Sequence, residues 1–270
     1  MINLHVRALL VALVLQSASA LVIGQEIADV KKRAEAGDVK AQVQLGIAYA
    51  AGNGITQDGA EAVKWLRKAA DHGDASGEYY LGEVYLMGDG VPVNYAEALK
   101  WIRKAADQGE PHAQSNLGVM YSKGLGVSKD DAEAARWTRK AADQGSAEGQ
   151  FALGSMYAHG RGVSQSETEA AAWYRKAADQ GDTPAMNNLA MLLAMSSDPK
   201  IRNPKGAVSL GEKAVELEPD NASYLDTLAT VYFEAGQPDK AAETERRALA
   251  LKPENPSYKK ALEKYQAAKP

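Results

Sequence analysis

The phrase Trp65-Leu66-Arg67-Lys68-Ala69-Ala70-Asp71 decides how this chain folds, because it returns three times. The copies are Trp101-Ile102-Arg103-Lys104-Ala105-Ala106-Asp107, Trp137-Thr138-Arg139-Lys140-Ala141-Ala142-Asp143 and Trp173-Tyr174-Arg175-Lys176-Ala177-Ala178-Asp179, each 36 residues after the one before. A second phrase keeps the same step. Leu45-Gly46 recurs as Leu81-Gly82, Leu117-Gly118 and Leu153-Gly154, and Tyr49 recurs as Tyr85, Tyr121 and Tyr157. A fixed period of this length marks stacked helical or strand units, none of which can bury its apolar face alone.

Each unit reads as two helices, A and B. In helix A, Leu45, Gly46 and Tyr49 share one stripe. In helix B, Ala62, Trp65, Leu66 and Ala69 recur at i, i+3, i+4 and i+7, the spacing of one apolar helix face. Gly46 and its copies let two backbones approach closely. Helix B opens at Asp58, Asn94, Asp130 or Ser166, each followed three residues later by Glu61, Glu97, Glu133 or Glu169. That spacing predicts a capping box: the first side chain accepts orphan N–H groups while the Glu reaches back to the cap. Helix B ends before Gly73, Gly109, Gly145 and Gly181, which suit a left-handed C′ position. Gly52/Gly54, Gly88/Gly90, Gly124/Gly126 and Gly160/Gly162 fill the turn from A to B.

These residues carry a resemblance. The pattern Ala-x-x-x-Leu-Gly-x-x-Tyr-x-x-Gly-x-Gly-Val, then Ala-x-x-Trp-x-Arg-Lys-Ala-Ala-x-x-Gly, resembles the Sel1-like repeat family over residues 38–181, in four full copies. The resemblance implies an all-α, right-handed α/α superhelical solenoid of helix-turn-helix repeats that binds other proteins as an adaptor. Residues 21–37 are expected to form an N-terminal capping helix. Past residue 181 the register loosens: Asn188-Leu189-Ala190 replaces the Leu-Gly phrase and residues 196–204 form a longer turn. Residues 182–255 resemble tetratricopeptide repeats, with Leu228-Ala229, Tyr232, Gly236, Ala241, Ala248 and Pro253 at that family's spacing. Glu245 stands where that pattern has a large apolar residue. Residues 256–270 are expected to be a solvating last helix. No break in the register marks a domain boundary, so the sequence reads as one array.

Composition limits the function. The 270 residues carry a net charge of -4, which gives no reason to expect nucleic acid or an anionic membrane as partner. No cysteine is present, which excludes disulfides, thiolate metal sites and a cysteine nucleophile. Residues 1–20 read as an export signal: Arg7 supplies the positive n-region, Ala8 to Leu15 an apolar run too short to span a bilayer, and Ala18-Ser19-Ala20 a small-x-small cleavage site. The cut is placed after Ala20, with Val22-Ile23-Gly24 as a second site and an uncleaved anchor as the alternative. The expected mature protein is periplasmic or secreted, monomeric and without a stable membrane anchor.

Catalysis and cofactors are not expected. His5 lies in the signal, and His72 takes the slot of Gln108, Gln144 and Gln180, which no metal ligand would share. His112 and His159 lack a carboxylate at ligand spacing. The Gly-x-Gly turns follow helices, whereas a phosphate loop follows a strand. The Arg-Lys pairs read as a solvated face that complements the helix B C-terminus, with Asp71 and its copies in reach for local pairing. Asn221-Ala222-Ser223 matches a glycosylation acceptor and reads as coincidence in an inter-repeat turn.

Helical geometry locates the surface left for a partner. At about 100° per residue, Val43 and Ile47 lie opposite the buried stripe of helix A. Their copies are Tyr79 and Glu83, Ser115 and Val119, Phe151 and Ser155, and Asn187 and Met191; His112 and His159 lie on the same helices. Asp226 and Thr230 continue the series. These positions vary while the buried ones repeat, as a recognition groove requires. The mixture of apolar anchors and polar groups suits an extended peptide or a partner helix. An exported adaptor that binds another protein through this concave groove is the expected function. A glycan-binding or envelope-assembly factor is the alternative that the resemblance also permits.

Overall fold

The computed structural model describes residues 26–268. The export signal, with Ala18 and Ala20, and the first part of the expected capping helix lie outside the described residues. Among the described residues there are helices and no strand. The α/α solenoid of helix-turn-helix repeats expected from the sequence is the fold class observed.

The chain divides into two compact units, with the division between Asp130 and Asp131. The first holds α1 (residues 26–35), α2 (Val39–Ala51), α3 (Gly59–Asp71), α4 (Ala75–Met87), α5 (Tyr95–Asp107) and α6 (Pro111–Lys123). The second holds α7 (Asp131–Asp143), α8 (Ala147–His159), α9 (Glu167–Asp179), α10 (Thr183–Met195), α11 (Pro204–Leu217), α12 (Ala222–Glu234), α13 (Pro238–Leu251) and α14 (Pro256–Ala267). In each unit, successive helices from α2 onward pack neighbour on neighbour. A helices also touch A helices, α2 on α4 and α10 on α12. The division falls inside a repeat whose register is unbroken in the sequence.

The repeating phrases are the core. Leu45, Leu81, Leu117 and Leu153 of the A helices are fully buried, as are Ala62, Leu66, Ala98 and Ile102 of the B helices. Each such Leu or Ile contributes roughly 1.5–3 kcal/mol by leaving water. The leucine-glycine phrase works as expected: a Cβ on Gly82 would lie 2.5 Å from Ile102 Cγ1 and 3.0 Å from the Ile102 backbone nitrogen. Only hydrogen lets α4 sit that close to α5.

The predicted capping box is half formed. Asp58 accepts from the backbone N–H groups of Ala60 and Glu61, Asn94 from Glu97 and Ser166 from Glu169. The glutamates do not reach back. Glu61, Glu97 and Glu169 accept instead from the indole N–H of Trp65, Trp101 and Trp173, at 3.0, 3.0 and 3.2 Å. The reason lies in the donor the box would need. The N–H of Asp58 is already bound to the Tyr49 carbonyl at 2.9 Å, and that of Asn94 to Tyr85 at 2.8 Å. The glutamates are therefore free to satisfy buried tryptophans one turn ahead.

Three of the four repeat arginines depart from the solvated face expected of them, while Arg175 stays exposed. Arg67 is half-buried and donates to the Tyr85 hydroxyl of the next A helix at 3.2 Å, with its guanidinium 5.3 Å from the Trp101 ring. Arg103 donates to Tyr121 and Arg139 to Tyr157 in the same way. The last turn of helix B faces the following A helix, so a long side chain there meets protein before water. The lysines stay exposed and lie over their own tryptophans, Lys68 at 4.1 Å from the Trp65 ring and Lys176 at 3.6 Å from Trp173. Asn221 proves to be the N-cap of α12, accepting from Ser223 and Tyr224.

At the C-terminal end, α14 packs on α13 and buries Tyr258 and Tyr265. Tyr265 stacks near Phe233 at 4.9 Å and its hydroxyl lies 3.1 Å from Thr230 Oγ1. Glu245 of α13 is fully buried beneath this helix.

Candidate partner-binding face

Helix A carries the candidate residues. Each A helix is held on two sides, by its own B helix and by the neighbouring repeat, so its buried arc is wider than a single stripe. That width corrects two of the expected groove positions. Val43 is 8% exposed and belongs to the core with Leu66, Leu81 and Trp101, and Ser115 is 6% exposed with an unpartnered hydroxyl. Neither is open to a partner. Ile47, Tyr79, Glu83, Phe151, Ser155, Asn187 and Met191 are half-buried, while Val119, His112 and His159 are exposed.

In the first unit the structure brings several of these together. Glu83 Oε1 accepts from Asn116 Nδ2 of α6 at 2.8 Å. Tyr79 lies beside the same carboxylate, and burial, helped by that negative charge, pushes the phenol far above its usual range. The Tyr79 ring lies 4.9 Å from Tyr80 and 5.9 Å from His112. Glu83 also lines a pocket of about 340 Å³ between α2 and α4. Ile47, Ala50, Leu66, Tyr80 and Val84 line it, and Glu83 and Asp89 supply acid at its wall and rim.

The second unit has a pocket of about 430 Å³ between α8 and α10. Ala158, His159, Tyr174, Asn188, Met191, Leu192 and Met195 line it. Burial raises the Tyr174 phenol, and hydrogen bonds to Asn188 and Ser155 oppose that rise. Phe151 stacks 5.9 Å from Tyr174, and His159 Nδ1 lies 2.8 Å from the Ser155 carbonyl. Asn187 donates weakly to Asn188 at 3.4 Å, and its own side-chain oxygen is buried without a partner.

The two pockets are one slot of the repeat, met twice. Ala50, Ala51, Leu66, Tyr80, Glu83 and Val84 each stand 108 residues before Ala158, His159, Tyr174, Asn188, Met191 and Leu192. The frame is constant and the lining differs. Sequence reasoning found Ile47, Glu83, His159 and Met191 among these residues. It missed Tyr80, and it missed Leu66 and Tyr174 because their shared slot in helix B reads as core. Among the described residues no group of three or more metal-ligating side chains comes together.

Glu245, out of pattern in the sequence, and Asp226, expected in the groove series, meet each other instead. Asp226 of α12 faces the buried Glu245, neither of whose oxygens receives a hydrogen bond from a donor group. Burial, and then the charge of Asp226, pushes Glu245 up to about 8; burial also raises Asp226.

The comparisons agree with this geometry. A Sel1 repeat model matches residues 39–74, 75–110, 111–146, 147–182 and 183–218, and a tetratricopeptide repeat model matches residues 202–265. The fifth Sel1 match takes in a stretch that the sequence reading gave to tetratricopeptide repeats. No curated protein matches. A solved Sel1 repeat protein from Oxalobacter formigenes is 30% identical, with a TM-score of 0.65, over 85% of this chain and 96% of that one. A protective antigen of uropathogenic Escherichia coli with an SLR fold is 34% identical, with a TM-score of 0.55, over 84% of this chain. The chain spans 56% of that antigen's length. YrrB, a tetratricopeptide protein described as having an unusual peptide-binding site, shares the fold at 21% identity and a TM-score of 0.54, over 73% of this chain and 97% of that one. With five repeats matched in a row and a relative of the same architecture along nearly its whole length, the chain belongs to the Sel1 repeat family.

Proposed function

We infer that this protein is a non-catalytic scaffold that receives a segment of another protein in the slots between its A helices. The observation that carries the reading is the recurrence of one pocket at one place in the repeat, lined differently each time. A structural cavity left over from packing would keep the lining of its frame. A recognition surface must vary its side chains while the backbone around them stays put. The buried positions of the repeat supply the frame, and Glu83 against Met191, or Tyr80 against Asn188, supplies the variation.

Export belongs to the same proposal and rests on residues 1–20. Among the described residues no helix is long and apolar enough to cross a membrane. In this reading the mature chain begins at Leu21 and meets its partner outside the cytoplasm; the mass of the exported protein tests where the chain begins.

The binding reading is tested by affinity capture with the full chain and an Ile47→Asp/Met191→Asp variant. A charge in each slot removes apolar contact from the partner and puts a carboxylate against it. Captured protein is expected to fall about tenfold or more, which corresponds to about 1.4 kcal/mol, while circular dichroism stays unchanged. Equal capture by the folded variant would show that partners bind elsewhere.

A further inference from the structure

The slot of the first unit holds a group that its register partner lacks. Glu83 stands where the second unit has Met191. Asn116 of α6 donates to its Oε1 at 2.8 Å, and the Tyr79 phenol lies beside the same carboxylate. That bond holds the carboxylate in one place, and Glu83 forms part of the pocket wall, an acceptor that needs little reorganisation when a donor arrives. Ile47, Ala50, Leu66 and Val84 give the same pocket an apolar interior, Asp89 stands exposed at its rim, and no Lys or Arg lines it. An apolar channel that passes a fixed carboxylate fits a side chain with an aliphatic stem and a cationic head. An apolar side chain would leave the carboxylate desolvated and unpaired, and an acidic one would be repelled.

We propose that the pocket between α2 and α4 is the anchor site for a lysine or arginine side chain of the bound partner segment. The proposal rests on the reading that partners enter the slots between A helices, and it names the chemistry that one slot selects. The corresponding slot of the second unit, with Met191, Leu192 and Met195, takes an apolar side chain instead and serves as the internal contrast.

Random short peptides displayed on phage and selected against the full chain test this directly. The wild type is expected to enrich peptides that carry a lysine or arginine. Glu83→Met installs the residue that the second unit carries at the same register. It is expected to lose that enrichment and to bind the best wild-type peptide about tenfold more weakly. Replacing that peptide's arginine by citrulline, which keeps the shape and removes the charge, is expected to cost the wild type a similar factor. It should cost the variant nothing. If Glu83→Met does not fold, Glu83→Gln replaces it, since it keeps the shape and the bond from Asn116. Enriched peptides without a basic residue, or basic peptides bound equally by wild type and folded variant, overturn the anchor site and leave the scaffold reading standing. Recovery of no peptide by the wild type overturns both.

Discussion

At Glu245 a carboxyl group occupies a place with no solvent contact, where tetratricopeptide patterning has a large apolar side chain. The sequence marks the residue as out of pattern, but it cannot say what the carboxyl meets. That depends on α12 and α14 closing over it with Asp226 and Tyr265. A proton held between Glu245 and Asp226 reconciles the burial with the two acids. The sign of the pH effect follows. Glu245 titrates at about 8 in the folded protein, against an ordinary value of about 4.3. Folding therefore favours its protonated form. The stability that this proton contributes is fully present below the ordinary value, declines as the pH rises above it, and is lost once the pH passes about 8. Urea unfolding of the second unit should show greater resistance at mildly acidic than at alkaline pH. Glu245→Leu should flatten that dependence and add about 1–3 kcal/mol at the alkaline end. A wild-type profile that is flat across this range would contradict the shared proton.

Among the elements, the turns and helix contacts set by glycine were the most legible part of the fold, because each requirement is local. Gly126 has φ +68°, and a Cβ there would lie 2.3 Å from the Tyr95 carbonyl oxygen. Gly82 has an ordinary helical backbone and meets Ile102 of the neighbouring helix. The two alanine substitutions should therefore fail for different reasons. Gly126→Ala combines a left-handed backbone with a clash against main chain that cannot yield, and it should cost about 2–4 kcal/mol. Gly82→Ala keeps an ordinary helical backbone and overpacks against the buried Ile102, and it should cost about 1–3 kcal/mol. Thermal unfolding of the two variants checks the order; a neutral Gly126→Ala would contradict the inter-repeat contact. The glutamates at the start of helix B were legible in spacing and not in role. Spacing places Glu97 three residues after Asn94 and four before Trp101 alike. The choice between them depends on the Asn94 N–H already being bound to Tyr85, a contact between helices that spacing does not contain.

For the whole molecule, the 36-residue period carried the fold class and located the A-helix faces, since a periodic core dictates which positions repeat. It could not locate the division at Asp130, because the register runs through that point unbroken. Nor could it find the pockets. Angular position put Val43 on the open face with Ile47, yet packing from the next repeat buries Val43 and leaves Ile47 at the lip of a slot. The slots depend on distances between helices, and Tyr174 enters one from a position that patterning assigns to the core.

Whether partners bind through the slots between A helices is decided by hydrogen exchange of the full chain, alone and with its captured partner or selected peptide. Slowed exchange is expected in α2 and α4 or in α8 and α10, with the B helices α3, α5, α7 and α9 unchanged. Protection confined to the B helices, along the arginine and lysine ridge, would contradict it.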